Sequence, residues 1–191
     1  LDILPGVIEE SHYSKDTQSD YVGALCTRVK SLTNGIYGSV FCAEDALSDA
    51  ELFDCNVVVD LSRVGSMETK SLLMGILVMK LQEYRMCGSE MNSRLRHVTV
   101  LEEAHNLLRK TSAEQSQEGA NLQGKSVEML ANAIAEMRTY GEGFIIADQA
   151  PGLLDMSVIR NTNTKIILRL PDEEDRKLVG KSAALKEAQI D

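Results

Sequence analysis

The chain has 191 residues, a formal net charge of −9, 43% hydrophobic residues and 26% charged residues. This length suits one domain or a large part of one, and the composition is that of a globular protein rather than a disordered or fibrous one. The acidic balance argues against stand-alone nucleic-acid binding, because phosphate affinity comes from Lys and Arg. No apolar run reaches the length of a membrane span, and no segment resembles a signal peptide. Since the sequence begins at Leu1 rather than Met, we expect a fragment of a longer protein.

The first part of the chain is polar and contains few apolar runs. Residues 1–34 are interpreted as a lead-in, with a helix predicted from about residue 20 to residue 32 by the spacing of its apolar side chains. Residues 37–42 are predicted to form a short strand. Residues 35–191 are interpreted as the core of the domain.

Four short, apolar and β-branched runs are predicted as buried strands of a parallel sheet. They span residues 56–61, 97–101, 143–147 and 165–170. Such runs, separated by helical segments, are typical of an α/β fold with a mostly parallel sheet.

Helices are predicted between these strands. Residues 66–84 are apolar almost all round, with Ser66 as the N-cap, so this helix is expected to be largely buried. Residues 126–140 form an amphipathic pattern that ends at Gly141, and Asp172 is expected to open a last helix.

The four cysteines show no spacing that is typical of a metal site. Cys26, Cys42, Cys55 and Cys87 form no CxxC pair, and no His cluster accompanies them. A zinc site or a disulfide framework is therefore disfavoured, and reduced thiols of a cytoplasmic protein are expected.

Polar side chains follow several of the predicted strands. Asp60, Glu102, Glu103 and Gln149 all fall at carboxyl ends, where ligands bind in parallel α/β sheets. The adjacent acids of the second strand suit two tasks of nucleotide hydrolysis, because one carboxylate can hold magnesium or its water and the other can deprotonate the attacking water. The alternative is a helix N-terminus enriched in acids for reasons of the helix dipole. Asp60 is expected to cap the following turn.

Four segments, in this order, resemble one protein family. They are NVVVDLSRVGSMETKSLLMGILVMKLQEY, VTVLEEAHNLL, AIAEMRTYGEGFIIADQAPGLL and VIRNTNTKIILRLPDEEDRKLVG. Together they resemble the C-terminal part of the core of HerA/FtsK-like P-loop ATPases, which are related to conjugative and type IV secretion ATPases. The resemblance covers roughly residue 35 onward. It implies a RecA-like P-loop core whose N-terminal part, with the Walker A loop, lies outside this sequence.

The resemblance implies a role for each strand-end residue. Glu102 stands at the Walker B position and would bind Mg²⁺ through water, and Glu103 matches the catalytic glutamate. Gln149 matches the polar sensor that contacts the γ-phosphate of ATP. His105 would couple the site to a neighbouring subunit, or is a structural histidine.

The resemblance also implies an arginine that reaches a neighbouring subunit. Arg138 matches the position of this finger, whose guanidinium would stabilise charge in the transition state. Arg160 and Arg169 are the alternatives. A surface charge near a helix C-terminus would equally explain Arg138, because a cation is favourable there.

The function implied for the intact protein is ATP hydrolysis, with Mg²⁺, that drives DNA through a ring of subunits. The resemblance implies a homo-oligomer, expected to be a hexamer, in the cytoplasm, with DNA as the translocated polymer and a nuclease as a partner. Two alternatives remain open, namely a secretion-type ATPase that exports DNA or protein, and a non-catalytic assembly module. The chain by itself is expected to be inactive, because it lacks a phosphate-binding loop.

One stretch matches the phosphate-loop pattern literally but in the wrong context. Residues 119–126 read GxxxxGKS, yet they follow the Walker B segment and are preceded by a polar stretch rather than by a buried strand. Residues 110–123 are interpreted as a flexible loop. The next helix is expected to begin near Gly124, with Ser126 as a plausible N-cap.

Overall fold

The structure of the chain is a computed structural model that divides into two compact units. The described residues are 3–10, 14–88, 90–110 and 119–190. The units are Leu1–Ser48 and Asp49–Asp191.

Among its described residues, the regular secondary structure of the first unit is helical. It contains α1 (Leu4–Glu9), α2 (Lys15–Ser31) and α3 (Gly35–Phe41). The helix predicted over residues 20–32 is confirmed as α2, which begins five residues earlier because Ser14 caps it through a bond from the amide of Thr17. The strand predicted at residues 37–42 is wrong, since α3 occupies most of this segment. Its apolar residues recur at helical spacing, which the short length of the run obscured.

The second unit combines helices with a parallel sheet. Its helices and strands are α4 (Asp49–Phe53), α5 (Met67–Gly88), β1 (His97–Glu102), α6 (Gly119–Met137), β2 (Glu142–Ala147), α7 (Met156–Asn161), α8 (Glu173–Ser182) and α9 (Glu187–Ile190). The expected starts of two helices are confirmed. Ser66 accepts a bond from the amide of Thr69 at the start of α5, and Asp172 accepts one from the amide of Asp175 at the start of α8.

The described part of the sheet consists of β1 and β2, which run parallel and in full register. His97 pairs with Glu142 at one end, and Glu102 pairs with Ala147 at the other. α6 lies between them in the chain, as a parallel pair requires a long crossover connection. The predictions of strands at 97–101 and 143–147 are confirmed, and the mixture of helices with a parallel sheet is compatible with the α/β class.

Two of the four predicted strands are absent from the described residues. Residues 56–61 and 165–170 belong to no helix or strand. Val58 is 93% exposed, and Ile166 and Leu168 are 88% and 82% exposed. A strand exists only where a neighbouring strand accepts its backbone hydrogen bonds, and in the described structure no backbone bond joins either segment to β1 or β2.

The hydrophobic core lies where α5, α6 and α7 meet one face of the sheet. Its buried members include Val78, Leu81, Leu101, Leu108, Met137 and Ile159. α5 buries a single stripe, while Leu72 and Met79 on the same helix are exposed. The prediction that α5 is largely buried is therefore wrong, because the described residues cover only one side of it.

A buried ionic network closes the amino edge of the sheet, where β1 and β2 begin. The side chain of Glu142 is fully buried and accepts bonds from Arg85 Nε at 2.9 Å, from Thr99 Oγ1 at 2.7 Å and from His97 Nδ1 at 2.8 Å. Arg85 also bonds Asp54 Oδ1 at 2.6 Å. Burial disfavours the charged form of Arg85, but the bonds to Asp54 and Glu142 outweigh it and raise the pKa of the guanidinium. Each charge in this network has an opposite partner.

α6 begins earlier than the sequence predicts. It starts at Gly119, so Ser126 lies inside the helix and does not cap it. The predicted flexible loop at 110–123 is wrong for residues 119–123, while residues 111–118 lie outside the described residues. Lys110 is fixed by a bond from its amide to the carbonyl of Leu153 at 2.9 Å. The predicted end near Gly141 is confirmed: a 3-10 turn follows α6, and Gly141 then adopts a φ of 83°.

The described residues also give the state of the cysteines and the apolar length of the helices. All four cysteines are free. None of the helices in the described ranges is both long and apolar enough to cross a membrane.

Candidate functional site

The turns that follow β1 and β2 leave the sheet side by side. Because Glu102 pairs with Ala147 on the last rung, Glu103 and Asp148 are the first residues beyond the ladder. Glu103 adopts left-handed backbone angles, with φ 49° and ψ 48°, and a 3-10 turn at Ala104–Asn106 follows. This conformation costs an L-residue about 1–2 kcal/mol, and such strain is concentrated at functional sites.

The two turns are joined by a bond between Glu103 and Gln149. Gln149 Nε2 donates to Glu103 Oε1 at 2.9 Å. The side chain of Glu103 remains 46% exposed. An amide nitrogen carries two hydrogens, and Gln149 therefore keeps one donor for another acceptor. The structure brings together the two strand-end residues for which the family resemblance implies catalysis and sensing.

Glu102 is the last residue of β1 and has an exposed side chain. Among the described residues, no Lys or Arg forms an ion pair with Glu102 or Glu103. Within the described ranges, the edge therefore carries two neighbouring carboxylates that no Lys or Arg neutralises. Carboxylate oxygens are the ligands that Mg²⁺ prefers, and they often bind it through water.

Asp148 is a site residue that the sequence analysis did not select. Its side chain is only 3% exposed. It accepts bonds from the amide of His105 at 2.8 Å, from His105 Nδ1 at 3.0 Å and from the amide of Ala150 at 2.8 Å. The sequence contained a signal for Asp148, because this residue follows β2 directly, as Glu103 follows β1.

The carboxylates of Glu103 and Asp148 flank the ring of His105. Their oxygens lie 3.5 Å and 3.0 Å from Nδ1, and one ligand atom from each of the three residues lies within 4.8 Å of the others. This set suits a metal that accepts imidazole rather than Mg²⁺, which prefers oxygen. The imidazole nitrogen is already engaged by Asp148, so the contacts are explained by hydrogen bonding alone.

Asp60 does not belong to this cluster. Its Oδ1 accepts a bond from the amide of Ser62 at 2.8 Å, which confirms its predicted role as the cap of a turn. That backbone bond, helped by the Ser62 side chain, lowers the pKa of the Asp60 carboxyl.

The three candidate arginines are not brought to the acid pair. Arg138 is exposed and precedes β2, whereas Glu103 and Gln149 follow the strands. The length of a six-residue strand, about 16 Å at ~3.3 Å per residue, separates the two edges. Arg160 is exposed in the last turn of α7, and Arg169 is exposed in the segment before α8.

The literal phosphate-loop match is helical over residues 119–126. The amides of Gly124, Lys125 and Ser126 lie beyond the first turn of α6, where each amide bonds the carbonyl four residues earlier. These amides are therefore not available to cradle a phosphate. This agrees with the prediction that the match is coincidental.

Comparisons of the chain with protein-family models, with curated proteins and with solved structures find no match.

Proposed function

We propose that the chain supplies the catalytic-acid part of an ATP-hydrolysing domain, and that hydrolysis in the full-length protein drives DNA through a ring of identical subunits. The observation that supports it best is the bond between Gln149 Nε2 and Glu103 Oε1, at the carboxyl edge of a parallel sheet. The resemblance of four segments to HerA/FtsK-like ATPases supports the same function.

Glu103 is the general base in this proposal. Gln149 holds Oε1, which leaves Oε2 of this partly exposed side chain to accept a proton from a water. The remaining amide hydrogen of Gln149 is the donor toward the terminal phosphate. Glu102 would hold Mg²⁺ through water, and the bound ion would neutralise charge on the phosphates.

The phosphate cradle must come from another segment of the full-length protein. The described residues supply acids and an amide, but the GxxxxGKS stretch is helical. The chain alone is therefore expected to bind ATP weakly and to hydrolyse none. In this proposal Arg138 contributes to the site of a neighbouring subunit, because it lies at the opposite edge from Glu103. Basic surface for DNA must come from other parts of the ring, since this chain has a net charge of −9.

The test is Glu103→Gln in the full-length protein, with ATP turnover and ATP affinity measured separately. Removing the base should lower kcat by about 100-fold or more, because general bases contribute about 10²–10⁴-fold. The dissociation constant for ATP should stay unchanged, because glutamine keeps the shape of the side chain. The control is Glu187→Gln, the same change on the exposed helix α9. Near-normal turnover in Glu103→Gln would contradict the proposal.

A further inference from the structure

Asp148 is the most deeply buried acid of the carboxyl edge, and its three donors come from two turns. Two belong to His105, in the turn after β1, and the third is the amide of Ala150, in its own turn. The carboxylate therefore ties the turn that contains Glu103 to the turn that contains Gln149.

The three contacts suit a group that accepts hydrogen bonds through both of its oxygens. Backbone amides only donate, so Oδ2 and Oδ1 must both accept. Hydrogen bonds to a charged acceptor are about twice as strong as neutral ones, which offsets the burial of the charge. An asparagine has the same shape but presents NH₂ on one side, so it would set a donor against a donor at His105 or at Ala150.

The same bond fixes the imidazole of His105. With Nδ1 at 3.0 Å from Asp148 Oδ2, the proton of a neutral ring sits on Nδ1 and Nε2 is left as an acceptor. The ring is thereby held with Nδ1 at 3.5 Å from Glu103 Oε2, beyond hydrogen-bonding distance but in electrostatic contact. The position of the ring limits where the Glu103 carboxylate can turn.

We propose that Asp148 is a positioning residue, which holds the backbone and ring of His105 and so fixes the Glu103 carboxylate for catalysis. The inference rests on the proposed function of Glu103 and adds a residue that acts through His105 without touching substrate.

The first experiment tests the positioning without any activity. In this chain, Asp148→Asn should accelerate hydrogen exchange at the amides of His105 and Ala150 by about 10- to 100-fold, the range expected for bonds to a charged acceptor. Ring ¹⁵N spectra should show the Nδ1–H tautomer of His105 in the unchanged chain and its loss in the variant. The signal of His97, whose Nδ1 contacts Glu142, should stay unchanged as an internal reference. Unchanged exchange and an unchanged tautomer would overturn the proposal.

The second experiment measures catalysis in the full-length protein. Asp148→Asn should lower kcat by about 10-fold or more, because the base is displaced, and should change ATP affinity less than it changes kcat. The control is Asp172→Asn, the same change at the cap of α8, where asparagine caps equally well. A wild-type kcat in Asp148→Asn would overturn the positioning role.

A further variant covers the case in which Asp148→Asn does not fold. His105→Gln keeps the carboxylate and its backbone bonds, so the amide of Ala150 should stay protected while kcat falls about 10-fold. An unchanged kcat would overturn the proposal. If the unaltered full-length protein hydrolyses no ATP, the proposed function fails, whereas the exchange and tautomer results still decide whether Asp148 positions His105.

Discussion

The two edges of the parallel sheet contain similar side chains in opposite electrostatic settings. At the amino edge His97 Nδ1 lies 2.8 Å from Glu142, and at the carboxyl edge His105 Nδ1 lies 3.0 Å from Asp148. Arg85 compensates the buried carboxylate at the amino edge. No described Lys or Arg does so at the carboxyl edge, where Glu102 and Glu103 add further negative charge.

This difference separates a structural network from a candidate site. Buried charges that are all paired need no further partner and hold the fold in one arrangement. Carboxylates that cluster at a strand end without a cation repel one another and destabilise the fold. A cation or a reacting group that binds there relieves this repulsion. The amino edge is accordingly expected to respond to mutation through stability, and the carboxyl edge through catalysis.

The largest effect on stability is expected from Arg85→Ala. Glu142 would lose its arginine while fully buried, which should lower the free energy of unfolding by about 3–5 kcal/mol. Urea denaturation of the chain measures it. The control is Lys80→Ala, which breaks an exposed pair with Asp49 and should cost at most about 1 kcal/mol. An equal loss of unfolding free energy in both variants would show that the amino edge is not a special structural network.

An opposite change in stability is expected from Glu103→Gly. Glycine adopts φ near 49° without strain, so the free energy of unfolding should rise by about 1 kcal/mol. Hydrolysis by the full-length protein should be lost. The matched control is Ala184→Gly at φ 57°, which should gain similar stability and keep activity. If only Ala184→Gly is stabilising, the contacts of Glu103 outweigh its backbone strain.

A smaller, pH-dependent effect is expected from Asp54. Its pKa lies below the usual value of 3.8, first because Tyr84 donates to it and second because Arg85 does. A lowered pKa contributes stability that is present above the unfolded value and is lost as the pH falls through the folded one. Asp54→Asn should therefore lower the free energy of unfolding at pH 7 by up to about 1 kcal/mol, a small value because the carboxyl is partly exposed. The variant should also lose less stability than the unchanged chain as the pH falls below about 4. If the free energy of unfolding falls with pH equally in both proteins, groups other than Asp54 cause the acid sensitivity.

The smallest effect is expected from Lys125→Ala. Lys125 lies inside α6 rather than in a phosphate cradle, so ATP turnover of the full-length protein should stay within a few-fold of wild type. Alanine is also the best helix former, so stability should change by less than ~0.5 kcal/mol. A loss of ATP binding would indicate that residues 119–126 do act as a phosphate-binding loop.

Local patterns in the sequence were sufficient to predict the strands that find a partner in the described structure. β1 and β2 were predicted from short apolar runs, and the acids after β1 were placed by the end of the strand. The bond between His105 and Asp148 was not predictable, because it depends on which turns lie side by side. The strand predictions at 56–61 and 165–170 were wrong for a related reason, since the same apolar pattern forms a strand only where a partner is present.

The exposed apolar segments also determine how the chain behaves at high concentration. The Val57-Val58-Val59 and Ile166-Ile167-Leu168 runs are short, uncharged and prone to pair with another copy. Asp60 at the end of one run, and Lys165 and Arg169 beside the other, oppose such pairing as charged flanks. The net charge of −9 opposes such strand pairing at neutral pH. As acid protonates the carboxylates this repulsion fades, and we expect colloidal self-association before the helices unfold.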